Sequence, residues 1–156
     1  MTISRLISQH LKDVYQGGNW TSSDLKTILV DIDWKDATTQ LYDLNTIATL
    51  VFHLQYYVKA ITKVLQGGPL DAKDKYSFNH PPITSQDDWD QYISTIWEEA
   101  DQLAALIEQV PEDKLYQDFT DGKYGSYYRN LQGNIEHIHY HLGQIVMLKK
   151  IHAALK

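Results

Sequence analysis

Apolar residues return at helical spacing in four long stretches of the chain. Ile3, Leu6, Ile7, Leu11 and Val14 share one helical face and predict a first helix over Ile3–Tyr15. Ile47, Leu50, Val51, Leu54, Val58, Ile61 and Leu65 form a broad stripe over Thr46–Leu65. A third stripe, Trp89, Tyr92, Ile93, Ile96, Ala100, Leu103 and Leu106 or Ile107, spans Gln86–Val110, and the last segment runs from about Asn130 to Ala154. Glu98, Glu99 and Asp101 read as a solvated face of the third helix.

Breakers and caps divide these stretches. Gly17, Gly18 and Asn19 end the first, and Trp20 reads as a packing anchor for the loop that follows. Ser22 or Ser23 is expected to cap a short helix over Asp24–Ile32, and Asp33–Thr39 reads as one more helical turn or an irregular link. Asn45 is the expected N-cap of the second long helix, with Asp43 competing; Gly67, Gly68 and Pro69 stop it. Leu70–Ser85 is a long connection carrying His80, and Ser85 caps the third helix before Asp87 and Asp88. Pro111 ends that helix. Glu112–Arg129 reads as an irregular loop packed by its tyrosines, in preference to a hairpin. Gly133 and Gly143 inside the last helix are expected to admit a close neighbour, and Lys149 and Lys150 to complement its C-terminal dipole. Four long helices, a short accessory helix, long loops and no credible sheet predict an all-α four-helix bundle, one domain over residues 1–156.

Composition changes this picture little. The chain has 43% hydrophobic and 22% charged residues, an ordinary globular balance. Its lack of cysteine excludes disulfides, thiolate metal sites and a cysteine nucleophile from this chain. The formal charge of -6 and the scattered basic residues argue against a nucleic-acid partner. No segment is apolar for long enough to span a bilayer, and MTISRLISQHLKDVY has no unbroken apolar core of a secretory leader, so a cytoplasmic location is the expectation.

The candidate chemistry lies in NIEHIHYHLGQIVMLKK. His137 and His141 are one turn apart on one face, while His139 is rotated by roughly 200°. An i, i+4 imidazole pair can reach a single metal ion, as in helical zinc motifs. The alternative is two partly buried histidines hydrogen-bonded to their neighbours. A metal needs at least one more ligand, and His53 and His10, on the two earlier long helices, are equal candidates by periodicity. Three neutral imidazoles leave a coordination position open and suit zinc, nickel, iron or copper. A carboxylate di-metal centre is the weaker competitor, because Glu136 and His139 supply a single Glu-x-x-His pair where that class needs two. No Ser/His/Asp arrangement and no phosphate-binding glycine loop stands out.

EHIHYHLGQIVMLKK resembles the last-helix signature of the DinB-like superfamily, in which two histidines four apart precede Gly-Gln-Ile; here these are His137, His141, Gly143, Gln144 and Ile145. YQGGNWTSSDLKTIL followed by NTIATLVFHLQYYV is similar to that family's first half, a Gly-Trp loop and then a helix with one histidine, here His53. Many relatives have a histidine before Ser-Ile where this chain has Asn45 before Thr46-Ile47. The resemblance implies a four-helix bundle holding a divalent metal, zinc or nickel, on His53, His137 and His141, and so favours His53 over His10. Characterised members of that superfamily include S-transferases and an isomerase that depend on low-molecular-weight thiols such as bacillithiol and mycothiol.

The expected function is therefore metal-dependent transfer of a small thiol to a small electrophile, with Tyr57 or Gln144 orienting the substrate. The competing expectations are a metal-dependent hydrolase, a metal-binding bundle without turnover that pairs as a homodimer through exposed aromatics, and histidines with a structural role alone.

Overall fold

The computed structural model describes residues 1–156 and is all-helical. Its α-helices are α1 (Ile3–Gln16), α2 (Leu25–Leu29), α3 (Trp34–Thr38), α4 (Ile47–Leu65), α5 (Gln86–Glu108) and α6 (Tyr127–Ala154). Short 3₁₀ turns at Asp74–Tyr76 and Glu112–Tyr116 interrupt the two longest connections. The four long helices form a ring in which α5 and α6 each lie between α1 and α4. Their apolar faces merge, together with side chains of α2, α3 and the connections, into one cluster of 32 buried residues, so the bundle has a common core and no second one. Residues 117–126 contain one isolated antiparallel bridge, Asp118 to Ser126, and no strand, as expected for an irregular loop.

Buried serines set the register of α1 on α5. Ser4 Oγ donates to the Val110 carbonyl at 2.6 Å and Ser8 Oγ to the Ala104 carbonyl at 2.7 Å. The partner number falls as the α1 number rises, so the two helices run antiparallel. Trp89 is fully buried and still satisfied, its indole N–H donating to the Ile32 carbonyl at 2.8 Å. Lys149 does not serve the α6 C-terminus. Its ammonium reaches across to the Ile28 carbonyl at 2.8 Å and ties α2 to α6.

Several local expectations are corrected. Asp24, not Ser22 or Ser23, caps α2, with Thr27 N–H donating to its carboxylate at 2.8 Å; Ser22 instead takes a positive φ of 54°. Thr46, not Asn45 or Asp43, caps α4, its hydroxyl accepting from Thr49 N–H at 3.1 Å. Trp20 is 100% exposed and anchors nothing; the buried Asn19 holds that loop, its amide donating to the Asp13 and Ser23 carbonyls. Leu6 points to solvent. Glu99 accepts a hydrogen bond from the buried Gln55 and pairs with Lys59 at 3.0 Å, so it is not a free member of a solvated face. Thr46→Ala should lower unfolding free energy by about 1 kcal/mol in urea titrations, with Asn45→Ala close to wild type, because only the former removes a cap bond.

Candidate metal centre

α4 and α6 pack directly against each other, and three imidazoles meet at that seam. His53 enters from the middle of α4; His137 and His141 enter from successive turns of α6. The ring centroids lie 4.8 Å apart for His53–His137, 4.8 Å for His53–His141 and 4.6 Å for His137–His141. One ligand nitrogen from each ring falls within 4.8 Å of the other two, and no other three histidine or carboxylate groups in the chain converge in this way. His53 and His141 are buried and His137 is half-buried.

The hydrogen-bond partners fix which way two of the rings face. Ser77 is fully buried, and its hydroxyl donates to the Asp74 carbonyl at 2.7 Å. With its proton committed there, Ser77 Oγ accepts from His53 Nδ1–H, also at 2.7 Å. That leaves the His53 Nε2 lone pair directed at His137 Nε2, 2.9 Å away. His141 Nδ1–H donates to Gln144 Oε1 at 2.7 Å, which turns Nε2 toward the other two rings. Outer partners that hold the far nitrogen of a ligand histidine are the usual companions of a metal site.

The electrostatics favour neutral rings. Burial, with His141 and then His53 close by, pushes the His137 imidazole down to about 4. Burial and then His141 also hold His53 below the usual histidine range, against the opposing pull of Asp74. Neutral imidazole is the ligating form. Three convergent ring nitrogens therefore fit a divalent cation that takes imidazole ligands.

Aromatic walls surround the cluster. Phe78 stacks on His53 at 4.2 Å and 16°, and Tyr57 stands edge-on to both His53 and His137 at 5.2 Å. The Tyr57 hydroxyl donates to Asp74 Oδ1 at 2.7 Å. A cleft of about 910 Å³ opens beside His53 and His137, bounded by α4, the start of α6 and the connections at 70–74 and 119–124.

The remaining histidines stand apart. His10 is exposed on α1 and faces His139 of α6, ring centroids 5.9 Å apart, outside the cluster. His80 lies in the long connection, its Nδ1–H donating to the Pro81 carbonyl at 2.7 Å, with Phe52 beside it. Glu136 and His139 do not join any metal-capable group, which removes the carboxylate di-metal arrangement. Gln144 Oε1 accepts from His141, and the Tyr57 hydroxyl donates to Asp74. A neighbour does not approach either α6 glycine: a Cβ at Gly133 or Gly143 would meet nothing within 4 Å. Sequence reasoning missed Ser77 and Phe78. They lie 24 and 25 positions beyond His53 across a Gly-Gly-Pro stop, and no periodicity links them to α4.

No helix is long and apolar enough to cross a membrane. The chain matches no family model, no curated protein and no solved structure.

The depressed His137 value has a consequence for acid stability. The unfolded chain takes up its proton near pH 6.5, whereas the folded chain resists it until about pH 4. Stability contributed by the neutral ring is thus complete above pH 6.5 and is lost as pH falls toward 4. Urea midpoints of metal-free protein should fall across that window, and His137→Gln should flatten this part of the profile. An unchanged slope in the variant would show that His137 titrates normally.

Proposed function

We propose that the chain is a divalent-metal-binding bundle of the DinB-like type, with His53, His137 and His141 as the ligands, and that it transfers a low-molecular-weight thiol to a small electrophile. The observation that carries this reading is the convergence of three imidazoles, with Ser77 and Gln144 holding outer nitrogens, at the edge of a cleft large enough for a substrate. Zinc or nickel suits this donor set.

His53, His137 and His141 would hold the cation, which would supply an open coordination position and lower the pKa of a thiol placed there. The reaction balances as a substitution. The thiol gives its proton to solvent, its sulfur lone pair forms a new bond to the electrophilic carbon, and the leaving group departs with its bonding pair. The chain's own residues position and enclose. Ser77 and Gln144 keep two ligand rings in the coordinating orientation. Phe78 covers one face of His53 and excludes water from that side. Tyr57 forms a wall of the cleft, its hydroxyl held by Asp74.

A second reading is a metal-binding bundle that does not turn over and associates with a second copy. It is favoured by Leu44, Tyr140 and Met147, which are 48%, 66% and 56% exposed along a groove of about 470 Å³ beside Gln144.

Competition titration of untagged protein should give one zinc or nickel per chain, and His53→Ala or His141→Ala should abolish it. Ser77→Ala should retain the metal with affinity about 10- to 100-fold weaker, the usual cost of removing an outer partner. Metal-loaded protein incubated with thiols and a panel of electrophiles and esters should consume thiol and electrophile together, and His141→Ala should not. Ester cleavage without thiol would identify a hydrolase. Stoichiometric metal with no turnover of any pair would leave the binding bundle.

A further inference from the structure

The cleft beside the histidines has a chemical polarity that the metal site does not use. Asp74 and Glu136 line it close to His53 and His137, so that end is acidic. Arg129, in the first turn of α6, is the one arginine or lysine in its lining. Its guanidinium forms no ion pair and no side-chain hydrogen bond, although Arg5 and four lysines elsewhere in the chain are paired. Its stem lies over Gly125, where a Cβ would come within 2.7 Å of Arg129 Cδ; that glycine, at a φ of +75°, leaves room for the side chain.

Between the two ends stands Asn134, only 6% exposed; its Oδ1 is sealed from solvent and has no hydrogen-bond partner, and because Nδ2 makes no hydrogen bond either, a turn of the amide about χ2 presents the oxygen to the cleft. A buried amide oxygen left unpaired costs free energy unless a ligand supplies the donor. Gly133 completes the arrangement. It is four residues after Arg129 and four before His137, on the same face of α6, and a Cβ there would meet nothing within 4 Å. The glycine keeps the path between the cation and the histidines free. Arg129 and His137 are eight residues apart, or about 12 Å along the helix axis.

We propose that this cleft is a recognition subsite for an elongated ligand bearing a terminal carboxylate and an amide N–H, the carboxylate pairing with Arg129 and the N–H donating to Asn134 Oδ1. It builds on the function proposed above only in placing the ligand's reacting end at His137. Tyr124 and Tyr128, 43% and 44% exposed, flank the carboxylate end and supply aromatic surface to the ligand's body. The carboxylate belongs either to the thiol or to its electrophilic partner, since both would lie in this cleft.

Calorimetric titration of the full chain, metal-free and zinc-loaded, tests the subsite with probes that have no free thiol. S-methylglutathione carries carboxylates and amide N–H groups on a blocked sulfur, its diethyl ester lacks the carboxylates, and N-acetylphenylalanine has a carboxylate and an N–H with no sulfur. At least one of the two acids should bind, and the ester should bind at least tenfold more weakly than S-methylglutathione where that acid is preferred. Arg129→Ala should weaken the preferred acid at least tenfold, with Arg129→Lys recovering part of the loss. Asn134→Leu should weaken it several-fold without lowering the melting temperature. Gly133→Leu should block it while the melting temperature stays at or above that of wild type. Preference for S-methylglutathione assigns the carboxylate to the thiol, and preference for N-acetylphenylalanine assigns it to the electrophile. Acid binding that is indifferent to Arg129→Ala, or no binding of either acid, overturns the subsite. If one zinc is still bound in that case, the metal site stands without it; acid binding to a chain that holds no zinc leaves the subsite standing and removes the metal.

Discussion

Crowding three imidazoles into one helix seam, two of them buried, imposes a constraint on everything around it. Each ring carries two nitrogens, and an unpaired buried polar atom costs on the order of 1–3 kcal/mol. The fold answers this from outside the cluster: Ser77 takes the outer nitrogen of His53, and Gln144 takes that of His141. Those two bonds direct lone pairs inward. His53 Nε2 then faces His137 Nε2 at 2.9 Å, a separation that two bare lone pairs would not hold. A shared proton relieves it when His137 supplies an N–H. A cation coordinated by all three rings relieves it more completely, because every inward nitrogen then has a partner.

The long connection after α4 exists in this form because of that requirement. After the stop at Gly67 and Gly68 the chain folds back along α4. Lys63 holds Asp71 at 2.7 Å, and the Tyr56 hydroxyl accepts from Lys73 N–H at 2.7 Å. Tyr57, one residue on, grips Asp74. Successive positions of the helix and the returning chain are thus joined, and the 3₁₀ turn at Asp74–Tyr76 delivers Ser77 under His53 and Phe78 onto its face. A segment with little regular structure becomes part of the site because Tyr56, Tyr57 and Lys63 of α4 provide its anchors.

Much of this was legible in the chain, and the boundary of legibility is physical. The long helices followed from stripes of about a dozen to about twenty residues, where many side chains agree on one face and the core need only merge them. The imidazole pair on α6 was legible for the same reason, since i, i+4 geometry is local. Caps were not. Asp24 over Ser22 or Ser23, and Thr46 over Asn45, are choices among adjacent residues of similar capping strength, decided by where the preceding loop leaves the backbone. Trp20 misled because large apolar area is usually buried, while the loop found its anchor in the small amide of Asn19. His53 and His10 were indistinguishable by periodicity because the choice depends on which long helix faces α6 at that height. Ser77 had no linear signal at all.

The glycines of α6 carry the reasoning one step further. A glycine inside a helix costs about 1 kcal/mol relative to alanine, and the usual compensation is the close approach of a packed neighbour. Neither Gly133 nor Gly143 has one. Both instead lie on the floor of an open space, Gly133 in the large cleft and Gly143 in the groove beside Gln144. Helix stability is therefore given up at two positions that flank the histidine pair, with no gain in packing at either. What the missing side chains leave behind is room next to the three imidazoles, and at Gly133 that room connects the rings to the unpaired charge of Arg129. A bundle selected only for stability would place alanine at both positions.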